Sequence, residues 1–257
     1  MYVDGHAHAP EEIVFTCGGN TLTGYLYIPD GDGPFPCIVD NHGSQLPQDS
    51  ADLSHPQTAA VFDSLGCAYF FPHRSGYGRS QGTPLSQEVP AARGTALHDH
   101  QMSERLKREN LEVISTLDRL EQISQIDPHR IGVMGSSLGG IHTLLALSRD
   151  SRWKCGIDFS GGASQWDDHP IIREMLKEAV RTLTQPIFLI QPANDFNTAP
   201  TIELSKILVE LGKTHDAAIF PAWGVAGGEA HRFCAAGHQI WGPVVKNFLK
   251  KHLLQSQ

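Results

Sequence analysis

The stretch Ile131-Gly132-Val133-Met134-Gly135-Ser136-Ser137-Leu138-Gly139-Gly140 decides how this chain is read. Ile131–Met134 is a short apolar run of the kind that forms a strand buried on both faces. Gly135-Ser136-Ser137-Leu138-Gly139 then has the form GxSxG and opens a helix that runs to about residue 148. A strand passing straight into a helix turns sharply, and side chains at 135 and 139 would collide with the neighbouring strand and helix. The turn lifts the Ser137 hydroxyl above the sheet edge. It also aims the Leu138 N–H, at a helix amino terminus, toward a developing oxyanion. Ser136 is a poor rival because Met134, not glycine, stands two positions before it. By itself GxSxG is a weak signal, and a structural turn in a catalytically dead relative is the competing reading.

Outward from this turn the chain alternates strand and helix. Upstream, Glu12–Cys17 and Leu22–Ile28 read as a hairpin turned at Gly18-Gly19-Asn20. Residues 35–40 and Cys67–Pro72 are continuous apolar runs, with a helix over about 55–65 between them. A long helix spans about 101–123, where Leu106, Leu111, Ile114, Leu117 and Leu120 recur at helical spacing. Downstream, strands are expected at Cys155–Phe159, Pro186–Ile190 and Ala217–Phe220, and helices at Ile171–Thr182, Thr201–Leu211 and Ile240–Leu253. An antiparallel start followed by repeated strand–helix units predicts a mostly parallel sheet covered on both faces. Such sheets bind ligands beyond the carboxy-terminal ends of their strands.

A serine hydroxyl is nearly inert at neutral pH unless a base takes its proton, and that base needs an orienting carboxylate. The chain order Ser, Asp, His is met by two downstream loops. Asp195 lies past the strand at 186–190 in Gln191-Pro192-Ala193-Asn194-Asp195-Phe196, and His231 lies past the last strand in Gly227-Gly228-Glu229-Ala230-His231-Arg232-Phe233. Asp216, Asp158, Glu229 and His238 are the competitors. Asp216 sits on the wrong edge, Asp158 inside a strand, Glu229 two residues from the base, and His238 against the last helix. A second oxyanion donor is expected after the strand at 35–40, in Asp40-Asn41-His42-Gly43-Ser44-Gln45; Ser44 is assigned, with Gln45 next. His42 precedes the nucleophile and is read as bracing this loop. Tyr77, Trp166 and Trp223 are candidate pocket walls together with Gln45, and core packing explains each aromatic equally well.

The chain has 257 residues, 40% of them apolar and 19% charged, enough for one globular domain with a sizeable core. Residues 1–10 are expected to be a flexible lead-in. A net charge of −8, with basic residues scattered, argues against nucleic acid or an anionic membrane as partner. No apolar run approaches the ~18 residues of a membrane span, and no signal peptide is visible. The five cysteines lack CxxC spacing and read as buried free thiols, which suits a reducing cytoplasm. A homo-oligomer stays open.

Four features together resemble the α/β-hydrolase superfamily, in particular its dienelactone-hydrolase-like, acetyl-esterase and prolyl-oligopeptidase-like serine hydrolases. They are His42-Gly43 after a strand, the run Arg74-Ser75-Gly76-Tyr77-Gly78-Arg79-Ser80-Gln81-Gly82, the turn at 135–139, and the Asp195 and His231 loops. The resemblance implies the α/β-hydrolase fold, a mostly parallel eight-stranded sheet flanked by helices, with catalytic Ser137, Asp195 and His231. It also implies that the Arg74 run forms a turn beside the site with a structural arginine. Dienelactone hydrolases proper use a cysteine nucleophile, so serine at 137 favours simple esters. Only one helix separates the strands at 155–159 and 186–190, so no large cap is expected, and Thr83–His100 is the candidate flap.

The expected activity is cofactor-free hydrolysis of a small ester, with peptide, amide or lactone cleavage as alternatives on the same fold. From another class comes Asp4-Gly5-His6-Ala7-His8, whose HxH pair resembles the metal ligands of amidohydrolase barrels. No later set of ligands follows at strand ends, and a hairpin start does not suit such a barrel. A non-catalytic binding module is the third reading.

Overall fold

Continuous apolar runs place β-strands in the middle of this molecule, because only a strand covered on both faces can bury consecutive side chains. The computed structural model describes residues 9–44 and 54–255. The elements run β1 (Glu11–Cys17), β2 (Asn20–Tyr27), β3 (Phe35–Asn41), α1 (Pro56–Asp63), β4 (Ala68–Pro72), α2 (Leu85–Glu88), α3 (Ala96–Leu120) and β5 (Ile126–Ser136). They continue with α4 (Leu138–Arg149), β6 (Gly156–Phe159), α5 (Pro170–Thr182), β7 (Ile187–Pro192), α6 (Ala199–Glu210) and β8 (His215–Phe220). A short 3-10 turn at Ala230–Arg232, α7 (Phe233–Ala236) and α8 (His238–His252) follow.

The eight strands form one sheet in the order β1-β2-β4-β3-β5-β6-β7-β8. β2 is antiparallel to both β1 and β4, and all pairs from β4 through β8 are parallel. The first hairpin closes on Gly18 and Gly19, whose φ values of 57° and 86° suit the two-residue turn that matches strand twist. Along β3 the side chains alternate between two cores. Cys37 and Val39 join α3, α4, α5 and α6 on one face, and Ile38 joins α1 and α8 on the other. This is the sheet covered on both faces that the apolar runs predict.

Element boundaries differ from the expectations by a few residues, and three short helical pieces (α2, the 3-10 turn, α7) have no periodic signal. α3 begins at residue 96 instead of 101 because the Thr95 hydroxyl accepts the His98 N–H as an N-cap. Farther along, the buried Asp99 carboxylate accepts the Ile171 N–H at 2.7 Å and the Ile172 N–H at 3.3 Å, capping α5 from another helix. Among the described residues no helix is long and apolar enough to cross a membrane. Residues 1–8, with His6 and His8, and Gln45 lie outside the described residues.

The run 74–82 is tied down by a buried charge cluster. Glu109 of α3 accepts from Arg74 Nε at 3.2 Å and His142 Nε2 at 2.8 Å on one oxygen, and from Arg105 Nε at 2.7 Å on the other. Arg105 also donates to the Ser75 carbonyl at 2.7 Å and the Thr83 carbonyl at 2.8 Å. Arg74 is therefore structural, as the resemblance implies. Burial works to raise the Glu109 pKa, but Arg74, His142 and Arg105 override it and hold it down at about 2. Burial beside Arg74 pushes His142 down to about 4, so it donates as a neutral ring.

A second buried carboxylate behaves oppositely. Asp158 of β6 has the Gly161 N–H as its backbone donor, at 2.8 Å, and burial pushes its pKa up to about 7.

Two predictions follow the signs of these shifts. Glu109 contributes stability that is whole above its ordinary value of 4.5 and is lost as the pH falls toward about 2. Glu109→Gln should cost about 3–5 kcal/mol at neutral pH, read by urea unfolding, because it takes the carboxylate from buried Arg74 and one of two from buried Arg105, which keeps Glu88. Asp158 contributes stability that is whole below its ordinary 3.8 and is lost as the pH rises through about 7. Asp158→Asn keeps an acceptor for Gly161, so its melting temperature should gain on wild type between pH 5 and pH 8; a constant difference would refute the shift.

Candidate active site

The nucleophile turn is built by close approach. A Cβ on Gly139 would lie 1.7 Å from the Asn41 carbonyl oxygen, and one on Gly135 would lie 2.4 Å from Gly139. Glycine at both positions lets the start of α4 sink against the end of β3. Ser137 is left at φ 59° and ψ −117°, a strained conformation for a residue with a side chain. Its N–H is held by the Phe159 carbonyl at 2.9 Å. Such strain in a residue at the mouth of a cleft fits the nucleophile reading of the sequence. Leu138 is the first residue of α4, where a backbone N–H has no partner within the helix.

Asp195 and His231 come together across 36 positions. The His231 Nδ1–H donates to Asp195 Oδ1 at 2.8 Å, which leaves Nε2 as the basic nitrogen. The same Asp195 oxygen accepts the Phe196 N–H at 2.6 Å, and the other accepts from Gln191 Nε2 at 3.1 Å. Burial raises the Asp195 pKa, but the His231 bond and charge outweigh it, so the carboxyl stays below its ordinary range. Ser137 and His231 line one cleft of about 1080 Å³ with Gly43 and Ser44. A Cβ on Gly43 would sit 3.6 Å from Ser137 Cβ, so the loop after β3 lies directly beside Ser137.

His42 braces that loop, as its position before the nucleophile suggests. Nε2 accepts the Arg74 N–H at 3.1 Å, so Nδ1 carries the proton and donates to the Gly43 carbonyl at 2.7 Å. Burial and the Arg74 charge push its pKa well down, leaving it neutral. The other competitors are also occupied. His238 opens α8 with Nε2 3.0 Å from Thr58 Oγ1, and Glu229 accepts the Val225 N–H at 2.7 Å. Asp216 lies at the start of β8, at the far end of the sheet.

The aromatic pocket walls read from the sequence are not in the cleft. Trp166 is buried under α5 and α6, with its Nε1–H on Glu203 at 3.0 Å and Lys177 over its ring. Tyr77 is buried between His42 and the Arg74 and Arg105 guanidinium groups. Trp223 packs on Phe233. In their place the cleft presents Phe196, 54% exposed and packed against the His231 ring at 4.9 Å. It also presents Arg232, Asn197, His55 and Arg93. Phe196, Asn197 and Arg232 adjoin the triad candidates in sequence and were findable from that adjacency. His55 and Arg93 were not, since nothing local marks them.

Arg93 comes from the expected flap. It hydrogen-bonds the Ser164 carbonyl and lies 3.8 Å from Asp168. Asp168 in turn accepts from His169 at 2.5 Å, and His169 is 2.7 Å from His98 at the start of α3. The segment is thus pinned on the cleft side, and Glu88 of α2 pins it to Arg105 and Arg108 on the other. Among the described residues no group of three or more His, Cys, Asp or Glu side chains is placed to hold a metal ion.

Residues 90–169 match the prolyl oligopeptidase family. A search of curated proteins by sequence found no match. Among solved structures, the acylaminoacyl peptidase of Pyrococcus horikoshii superposes with a TM-score of 0.73 at 17% identity, over 96% of this chain and 42% of its own. The chain thus spans well under half of that peptidase. Est1E of Butyrivibrio proteoclasticus, with ferulic acid bound, gives 0.69 at 16% identity over 95% of this chain and 100% of its own. A 2,6-dihydroxy-pseudo-oxynicotine hydrolase gives 0.64 at 15% identity over 95% of this chain and 68% of its own. The strand order and these superpositions give the chain the α/β-hydrolase fold, and residues 90–169 carry its likeness to the prolyl oligopeptidase family.

Proposed function

We propose that this protein is a serine hydrolase that cleaves carboxylic esters through an acyl-enzyme on Ser137. The observation that carries the reading is a strained Ser137 on the same cleft as His231, whose Nδ1–H is held by Asp195 at 2.8 Å. His231 Nε2 takes the Ser137 proton as Oγ attacks the ester carbonyl carbon. The Leu138 and Ser44 N–H groups receive the oxyanion, and Asp195 stabilises the imidazolium. Collapse breaks the bond to the alcohol, which leaves with the proton from His231. Water, deprotonated by His231, then attacks the acyl carbon and releases the acid and Ser137.

Support for the ester reading comes from Est1E, solved with ferulic acid bound, which superposes over 95% of this chain and 100% of its own. The match of residues 90–169 to the prolyl oligopeptidase family supports peptide or amide cleavage as the second reading. A cleft of about 1080 Å³ sits at the upper end of ligand-pocket sizes, and Phe196 offers an apolar wall, so bulky acyl or aryl groups belong in any screen beside short ones.

Wild type should hydrolyse p-nitrophenyl acetate or a longer homologue. Ser137→Ala should lose on the order of 10⁴-fold or more in kcat, and equal rates for the two proteins would sink the assignment. Asp195→Asn should lose about 10⁴-fold, because the His231 ring is no longer held in the useful tautomer. A fluorophosphonate should label wild type on Ser137 and spare Ser137→Ala; absence of labelling would favour a binding module. Activity removed by a chelator and restored by a metal would favour the HxH reading.

A further inference from the structure

Gln191 is a fully buried amide on β7 in a position where a leucine would fill similar space. Burying an amide is costly unless its donors and acceptor are matched, and here all are. Nε2 donates to Asp195 Oδ2 at 3.1 Å and to the Asn197 carbonyl at 2.8 Å, and Oε1 accepts from Thr201 Oγ1 at 2.9 Å. The orientation of the amide is therefore forced. Rotated by half a turn, its oxygen would face a carboxylate and a carbonyl, and its NH₂ would face the Thr201 hydroxyl. Thr201 lies buried in the first turn of α6, so the pin belongs to a different element from Gln191.

The two oxygens of Asp195 consequently have separate tasks. Oδ1 takes the His231 Nδ1–H and the Phe196 N–H, while Oδ2 is anchored to β7 through Gln191. Asp195 itself sits on a turn beyond the strand, where the Phe196 N–H and the Ser160 side chain also bond its carboxylate. The Gln191 donor on Oδ2 adds the restraint from β7 that sets the direction from which Oδ1 meets the imidazole.

We propose that Gln191, held in one orientation by Thr201, is a positioning residue that sets the Asp195 carboxylate for His231. This rests on the serine-hydrolase reading for its catalytic consequence, but the geometric effect on His231 is measurable without turnover.

The test compares wild type, Gln191→Leu and Thr201→Val. The first readout is the hydrogen-bonded Nδ1 proton of His231 by NMR, which reports the bond to Asp195 directly. The second is kcat and KM on the p-nitrophenyl ester, with melting temperature recorded alongside. Gln191→Leu should move or abolish the Nδ1 proton signal and lower kcat by about 10²-fold with KM little changed, the cost expected of a misplaced catalytic group. Thr201→Val leaves every direct contact of Asp195 in place, so it should move the same signal with a smaller fall in kcat. It also decides the matter if Gln191→Leu does not fold. An Nδ1 signal at its wild-type position in Thr201→Val, and in Gln191→Leu if folded, overturns the proposal even where activity and melting temperature fall together. If wild type hydrolyses no ester, the ester reading fails while the NMR comparison still decides the role of Gln191.

Discussion

Much of this structure depends on how closely α4 approaches the end of β3. The Asn41 carbonyl stands where any side chain at 139 would have to be, so the helix can start there only on glycine. From that contact follow the strain at Ser137, the N–H of Leu138 at a helix amino terminus, and the loop at Gly43 lying against Ser137. Strain of this kind persists only where the surroundings over-determine it. Here they do: the Ser137 N–H is tied to β6, and β5 is paired on both sides within the sheet.

The floor of the site is polar yet buried, and its charges explain its rigidity. Arg74 reaches from the turn after β4 to Glu109 on α3 and to the His42 carbonyl, at 3.2 Å and 2.8 Å. The loop after β3 is thereby fixed to a helix on the other side of the strand ends. A neutral His42, bonded at both ring nitrogens, completes the brace. Two histidines and two arginines in this region are thus spent on holding the site in shape, while His231 bonds its carboxylate at 2.8 Å beside Ser137 and His55, also on the cleft, stands 3.7 Å from Asp40.

Around the candidate triad the support is layered. His231 meets Asp195, Asp195 meets Gln191, and Gln191 meets Thr201, a chain that passes from the last loop to β7 and then to α6. Each link joins groups that the sheet already brings near one another, so the chain adds direction more than proximity. The cleft wall is of another kind. Phe196, Arg93 and Arg232 come from separate loops, and their side chains give the cleft its mixed apolar and cationic lining.

The sequence by itself determined the strands, the longer helices and the strand-to-helix turn at Ser137, because these are written in short-range patterns. Apolar runs of four to seven residues mark two-sided burial, and GxSxG between such a run and a helix marks the turn. The order Ser137, Asp195, His231 was legible too, since in a parallel sheet each loop after a strand emerges at the same edge. Only the tertiary structure decided which aromatics face the cleft. Tyr77 and Trp166 stand near strand ends as Phe196 does, but α5, α6 and the Arg74–Glu109–Arg105 cluster cover them. The partners of Glu109, Asp99 and Gln191 were hidden for the same reason: each bonds across tens of residues or between elements whose packing no local pattern encodes. Exposure and pairing are properties of the assembled layers, and a sequence pattern of period 2 or 3.6 says which face is buried without saying what lies against it.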